Sequence, residues 1–280
     1  AHQRFGELVF ESLPEPLKTA FEPYKACYML GFEGPDVLFY HKPFKSNATK
    51  SKGMRMHLIS AKPFFVENAK RIYEQDTADK ISTPLSAYVA GFMCHFCLDN
   101  ACHPSVYELE FTGVDHGLIE SEFDKYLMLK TCNKAFGNNP ARRIFNKDGV
   151  AKAAATALEV QEKEIARAIR TMRFINGALV CKYKFVHKFL LATLRLLKKE
   201  DSYGGMLLHH DDHEECQKLA PKMLAELENA VLPTAKLITE YFTNLETTAR
   251  TGDVNDTFDK NYTGGILDEH HQPIQTLDPA

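Results

Sequence analysis

"GFMCHFCLDNACHP", residues 91–104, sets two histidines and an aspartate at four-residue intervals inside an apolar run. The run reaches back through "STPLSAYVA" at 82–90, and a helix that is apolar nearly all round belongs in a protein interior. Ser82 or Thr83 is suited to the N-cap and Pro84 to the first turn. Pro104 is expected to close the helix, because the residue before a proline resists the α region. Residues four apart drift only about 40° per step around a helix, so His95, Asp99 and His103 form one stripe. A buried charge without a partner is costly. The stripe therefore calls for a counter-charge or a metal.

Helical spacing continues on both sides of this segment. Phe5, Leu8, Val9 and Leu13 mark a first helix that Pro14 and Pro16 stop. A loop-rich stretch is expected from Gly31 to Gly53, then a helix from about Met54 to Gln75 with Pro63 inside it. A further helix spans about Asp115 to Lys130, and an Asn/Gly/Arg-rich loop fills 133–149. Two long helices are read from Val150 to about Lys199, the second carrying Leu190, Leu191 and Leu194. A Gly/His/Asp linker at 201–213 precedes a last long helix over about 214–248. Residues 251–280 read as an irregular tail. The expectation is an all-α, single-domain multi-helix bundle: 1–130 carry the candidate ligands and 150–250 supply supporting helices.

With 280 residues, 44% hydrophobic content and a formal charge of −3, the chain has material for a large core and no polyelectrolyte signature. Seven cysteines make an odd count with no disulfide framework, which favours a reducing compartment. The start lacks a signal-peptide pattern, and no run approaches the roughly 18 apolar residues of a transmembrane helix. Cytoplasmic placement is the expectation, or secretion if a leader was removed.

A second pair follows in "DHGLIESEFDKY", 115–126, where His116 and Glu120 again stand four apart. That separation lets two side chains share one cation. A lone His–x₃–Asp is commonly a core hydrogen bond, and a lone His–x₃–Glu a surface ion pair. Two such pairs close in sequence, with His103 between them, point to metal binding. Donors of imidazole and carboxylate without thiolate suit Zn²⁺ in a hydrolytic role. Cys94, Cys97 and Cys102 mostly face away from the stripe on an ideal helix and read as packing residues. Upstream, Gly34 and Pro35 form a turn that can fix Asp36, while His57, His41 and His2 are further candidates.

In this order the residues resemble the zinc-dependent phospholipase C family, whose all-α fold is shared with P1-type nucleases. The series is His2, Asp36 in "GPD", His57, His95–x₃–Asp99, His103 and His116–x₃–Glu120. The resemblance covers roughly residues 1–130. It implies two or three Zn²⁺ ions: one on Asp36, His57, His95 and Asp99, a second on His103, His116 and Glu120, and a third shared by Asp99 and His2. It implies hydrolysis of a phospholipid or related phosphodiester by metal-activated water, with Asp36 orienting or deprotonating that water.

Three departures stand beside the match. The tryptophan that begins secreted members is absent, as is any tryptophan. Val37 occupies the position of the tyrosine found in choline-specific phospholipases, and no disulfides are evident. The alternatives are a P1-like nuclease, with Phe39, Tyr40 and Phe44 as candidate substrate-stacking residues, and a non-catalytic zinc- or lipid-binding protein. The lack of a basic groove disfavours long nucleic acids. "LLHHDDHEEC" at 207–216 lies outside the match and reads as a solvated linker, with a lid or an extra metal contact as the alternative.

Overall fold

A computed structural model describes residues 1–137, 139–144, 146, 149–180, 182–196 and 207–265. Among them twelve α-helices and short 3₁₀ turns account for the regular structure, with no β-strand. The helices are α1 (His2–Ser12), α2 (Glu15–Phe21), α3 (Lys25–Gly31), α4 (Ala48–Leu58), α5 (Lys62–Tyr73), α6 (Pro84–Glu110) and α7 (His116–Cys132). There follow α8 (Val150–Leu158), α9 (Glu162–Leu179), α10 (Lys184–Leu196), α11 (Glu214–Thr243) and α12 (Leu245–Thr251). The all-α expectation is met.

Helix α6 is the axis. Thr83 caps it by accepting the Ser86 N–H at 3.2 Å, and every residue from Leu85 to Phe96 is buried. Helices α1, α3, α7, α8 and α11 pack around it. The closest approach is to α3, where two glycines meet. A Cβ on Gly91 would fall 2.0 Å from the Tyr28 carbonyl oxygen, and one on Gly31 would fall 2.4 Å from that of Tyr88. With no side chain between them, the two backbones come into contact. This seats the turn after α3, which carries Asp36, against the face of α6 that bears His95.

Pro104 does not close α6, contrary to the sequence expectation. The helix runs on to Glu110. A proline inside a helix costs about 3 kcal/mol, and here packing on α11 offsets it. Ser105 Oγ donates to Glu226 at 2.6 Å, and Cys102 and Val106 are buried nearby. His103 is thus held within the helix, not released at its end.

Four other boundaries differ. The helix expected over 54–75 is two, α4 and α5. Asn47 caps α4 by accepting the Lys50 N–H, and the chain then turns at 59–61, where the Ala61 N–H donates to the Lys260 carbonyl at 3.0 Å. Pro63 sits in the first turn of α5, where proline is tolerated. The stretch 150–199 forms three helices where two were expected: Glu159 takes a left-handed conformation and a Gln161–Glu164 capping box starts α9. The last long helix breaks at Asn244, and the expected 31–53 loop holds a 3₁₀ turn over Gly34–Tyr40 and the start of α4.

The tail is not free of the fold. Phe258 and Tyr262 are buried, and Asn100 of α6 donates to the Asn261 carbonyl at 2.9 Å. Residues 197–206 and 266–280, which include part of the expected linker and tail, lie outside the described residues.

The Gly91 contact gives a first prediction. An exposed helical glycine gains about 1 kcal/mol on replacement by alanine. Gly91→Ala should instead lower stability by about 1–3 kcal/mol, measured by chemical denaturation, because the added methyl meets backbone.

Candidate metal centre

The conserved geometry of a helix brings the three α6 residues to one place, and the packing of α1, α4, α7 and the 34–40 turn delivers the rest. Three groups of donor atoms result, each close enough for one ion: Asp36, His57 and His95; His2, His95 and Asp99; and His103, His116 and Glu120. His57 Nε2 stands 3.0 Å from Asp36 Oδ1. His116 Nε2 and His103 Nε2 stand 3.5 and 3.6 Å from Glu120 Oε1. Asp99 lies between the groups. Its Oδ1 accepts from His2 Nε2 at 2.8 Å, with His103 Nε2 at 4.0 Å, and its Oδ2 faces His95 Nε2 at 3.1 Å. His41, the alternative to His57, turns away to α9, where its Nδ1 donates to the Glu164 carbonyl.

Whether these residues fit a metal is decided by the other ring nitrogen. His57 Nδ1 donates to the Gly53 carbonyl at 2.8 Å, His95 Nδ1 to Phe32 at 3.0 Å and His103 Nδ1 to Tyr262 at 2.7 Å. His116 Nδ1 donates to the Glu110 carboxylate at 2.9 Å. A carbonyl or carboxylate at Nδ1 fixes the tautomer and turns the Nε2 lone pair toward the cluster, the support that metal-bound imidazoles receive. His95 Nε2 is buried, with the Asp99 carboxylate 3.1 Å away as its partner. The donor set fits zinc.

Gly34 shows how tightly His95 is held. Its φ is +50°, a left-handed conformation, and a Cβ there would lie 2.2 Å from the His95 ring. The "GPD" turn therefore serves two ends: glycine lets the backbone run against the imidazole, and Asp36 follows two residues later.

Without metal, the carboxylates draw protons onto the histidines. Burial lowers the His95 pKa, but Asp99 outweighs it and the result is about 9. His103 reaches about 10 against the same penalty, through Asp99 and Glu120. The hydrogen bond to Glu120 lifts His116 to about 9, and Asp36 raises His57 despite its burial. Desolvation would raise Asp99 and Glu120, yet the surrounding imidazoles hold both below the ordinary carboxylate range. The half-buried Glu33 goes the other way, pushed up to about 7 by desolvation and the nearby Asp36.

A cavity of about 230 Å³ is lined by donor residues of all three groups together with Met128, Leu179, Val180, Leu208 and Met223. Tyr40 lines it and donates to Asn176 at 3.0 Å. Phe39 and Phe44 do not: Phe39 is stacked on His57 and Phe44 is exposed. Cys94, Cys97 and Cys102 belong to no donor group among the described residues, and burial raises all three thiols. His209 and His210 gather against His187 of α10, with ring centroids 5.2 and 5.6 Å away. Their segment is tied to α7, where the buried Lys125 donates to Glu122 and to the His209 carbonyl.

Sequence reasoning missed Glu33, Glu110 and the three carbonyls. Glu33 directly precedes the "GPD" turn and was within reach of it. The carbonyls carry no side-chain signal.

The chain belongs to the zinc dependent phospholipase C family, whose model matches residues 1–178. The match extends well beyond residue 130, almost to the end of α9. A zinc requirement and phospholipase C-like hydrolysis are the properties that define this family. No curated protein and no solved structure matches the chain.

Two predictions follow from the geometry. Gly34→Ala should displace the His95 ring, lowering both bound metal, read by elemental analysis, and thermal stability. The second concerns pH. Imidazole pKa values raised to about 9–10 stabilise the metal-free fold fully below the unfolded value of about 6.5. That contribution is lost as pH rises through 9–10. Protein treated with chelator should therefore melt at progressively lower temperature as pH rises across this window. Zinc-loaded protein should show a smaller or opposite slope, because the ions compete with those protons. A melting temperature of the metal-free protein that does not change with pH would contradict this.

Proposed function

We propose that the protein hydrolyses a phospholipid or closely related phosphodiester, using two or three zinc ions and a water molecule as nucleophile. The observation that carries the reading is the clustering of three donor groups, two of which share His95, with imidazoles in each anchored through Nδ1. Asp36, His57 and His95 would hold one ion, His103, His116 and Glu120 another, and His2 with Asp99 a third. Zinc supplies Lewis-acid stabilisation of phosphoryl charge and a water of pKa near 7 when bound.

The chain's own groups supply the rest. Asp36 faces the cavity with one carboxylate oxygen on His57, which leaves the other to orient the attacking water or take its proton. Asp99 stands within 4.0 Å of His2, His95 and His103, so its negative charge draws imidazoles of neighbouring groups together. The apolar walls beside the donors suit a substrate that has a phosphodiester at one end and hydrocarbon at the other. A base would find fewer partners there: of the three aromatic candidates, only Tyr40 lines the cavity.

Purified protein never exposed to chelator should contain at least two zinc ions per chain. Hydrolysis should vanish on chelation and return with zinc. Asp36→Asn should cut turnover by about 10²–10⁴-fold, the usual worth of a positioned base, and Glu120→Gln should lower zinc content. Less than one zinc per chain, or full turnover in Asp36→Asn, would sink the corresponding assignment. Cleavage of single-stranded DNA with no action on phospholipid would instead assign a P1-like nuclease.

A further inference from the structure

Helix α10 lies just beyond the family match and is built unlike the others. It is rich in Phe and Leu, yet His187 is its only buried residue. Phe185, Phe189 and Leu196 are 72%, 69% and 84% exposed. With Ala192 they occupy positions i, i+4, i+7 and i+11, a stripe about 60° wide on a helix. Leu190 and Leu194 face the opposite way, Val186 lies about 90° round from the stripe, and all three are partly covered. The apolar stripe therefore points outward by construction.

Charge accompanies it. Residues 182–196 contain Lys182, Lys184, Lys188 and Arg195 and no acidic residue, in a chain of net charge −3. Lys184, Lys188 and Arg195 lie roughly 60–100° to one side of the stripe. Lys184 approaches Asp211 at 3.6 Å, with both side chains exposed, and such a pair exchanges partners at little cost.

We propose that α10 is a membrane-surface anchor, which lays Phe185, Phe189 and Leu196 into the interface of an anionic phospholipid bilayer with its basic side chains on the lipid phosphates. An apolar stripe with a one-sided basic flank is the pattern of helices that lie in the plane of a membrane. A second copy of this chain is the poorer occupant, since an antiparallel pairing would bring two basic flanks together and a parallel one would offer them no acidic partner in α10. The position serves the centre. Leu179 and Val180 line the cavity and lead directly into α10, while Leu208, also on the wall, donates its N–H to the Leu179 carbonyl at 3.0 Å. A docked α10 holds the cavity wall against the lipid headgroups. The benefit to turnover rests on the phospholipase reading; the docking itself does not.

The test is sedimentation of the full-length chain with vesicles of phosphatidylcholine, with and without phosphatidylserine. Binding should require phosphatidylserine and weaken with salt. Phe185→Ser with Phe189→Ser, and separately Lys184→Glu with Lys188→Glu, should each weaken it by about tenfold or more. Both pairs are exposed, and an unchanged melting temperature would verify their folding. Because the chain has no tryptophan, Phe189→Trp provides a single emitter whose spectrum should shift to the blue on the same vesicles.

Absence of binding, or binding untouched by both double variants, overturns the proposal. So does a dimer in solution that Phe185→Ser with Phe189→Ser dissociates while vesicle binding is absent. Vesicle binding without hydrolysis of any phosphodiester would leave the anchor standing and overturn the phospholipase reading. Hydrolysis of a soluble short-chain phosphodiester without vesicle binding would overturn the anchor alone.

Discussion

A carboxylate at the middle of the most buried helix governs this structure. Asp99 is surrounded by His2, His95 and His103 in a place where an isolated charge would be severely penalised. Everything nearby answers that charge. The imidazoles supply compensation as protons when metal is absent, and the same atoms are aimed correctly for cations. Each imidazole in turn needs its second nitrogen satisfied, which recruits the carbonyls of Phe32, Gly53 and Tyr262 and the carboxylate of Glu110. The Phe32 and Tyr262 segments are thus tied to Asp99 through His95 and His103, while those of Gly53 and Glu110 are tied in the same way to Asp36 and Glu120 through His57 and His116.

The legible part of the centre was the part encoded locally. His95–x₃–Asp99 and His116–x₃–Glu120 announce themselves because a helix converts four residues of separation into a shared face. The family resemblance added His2, Asp36 and His57, and the fold brings all of them near the stripe. What could not be read depends on tertiary contact. The Tyr262 carbonyl lies 159 residues from His103 and has no side-chain signature. His57, preferred to His41 on the resemblance, is the one that α4 brings onto Asp36, whereas His41 turns to α9.

The helix boundaries that depart from the sequence expectation share one cause. Local propensity suggests an end or a continuation where tertiary packing decides it. Pro104 has every local reason to end α6, yet Cys102 and Ser105 on either side of it bond to α11 and the helix continues. Conversely, the break between α4 and α5 looked helical in sequence because Pro63 suited a first turn as well as a kink. The bonds that stabilise that break come from Phe258 and Lys260, far along the chain.

The return of the tail onto α6 ties the donor groups to distant parts of the chain. His2 enters the cluster from α1, whereas the carbonyl that orients His103 belongs to Tyr262. No fragment that lacks Tyr262 holds the donor atoms as they are oriented here. A change in that segment therefore acts on His103 without touching any donor side chain.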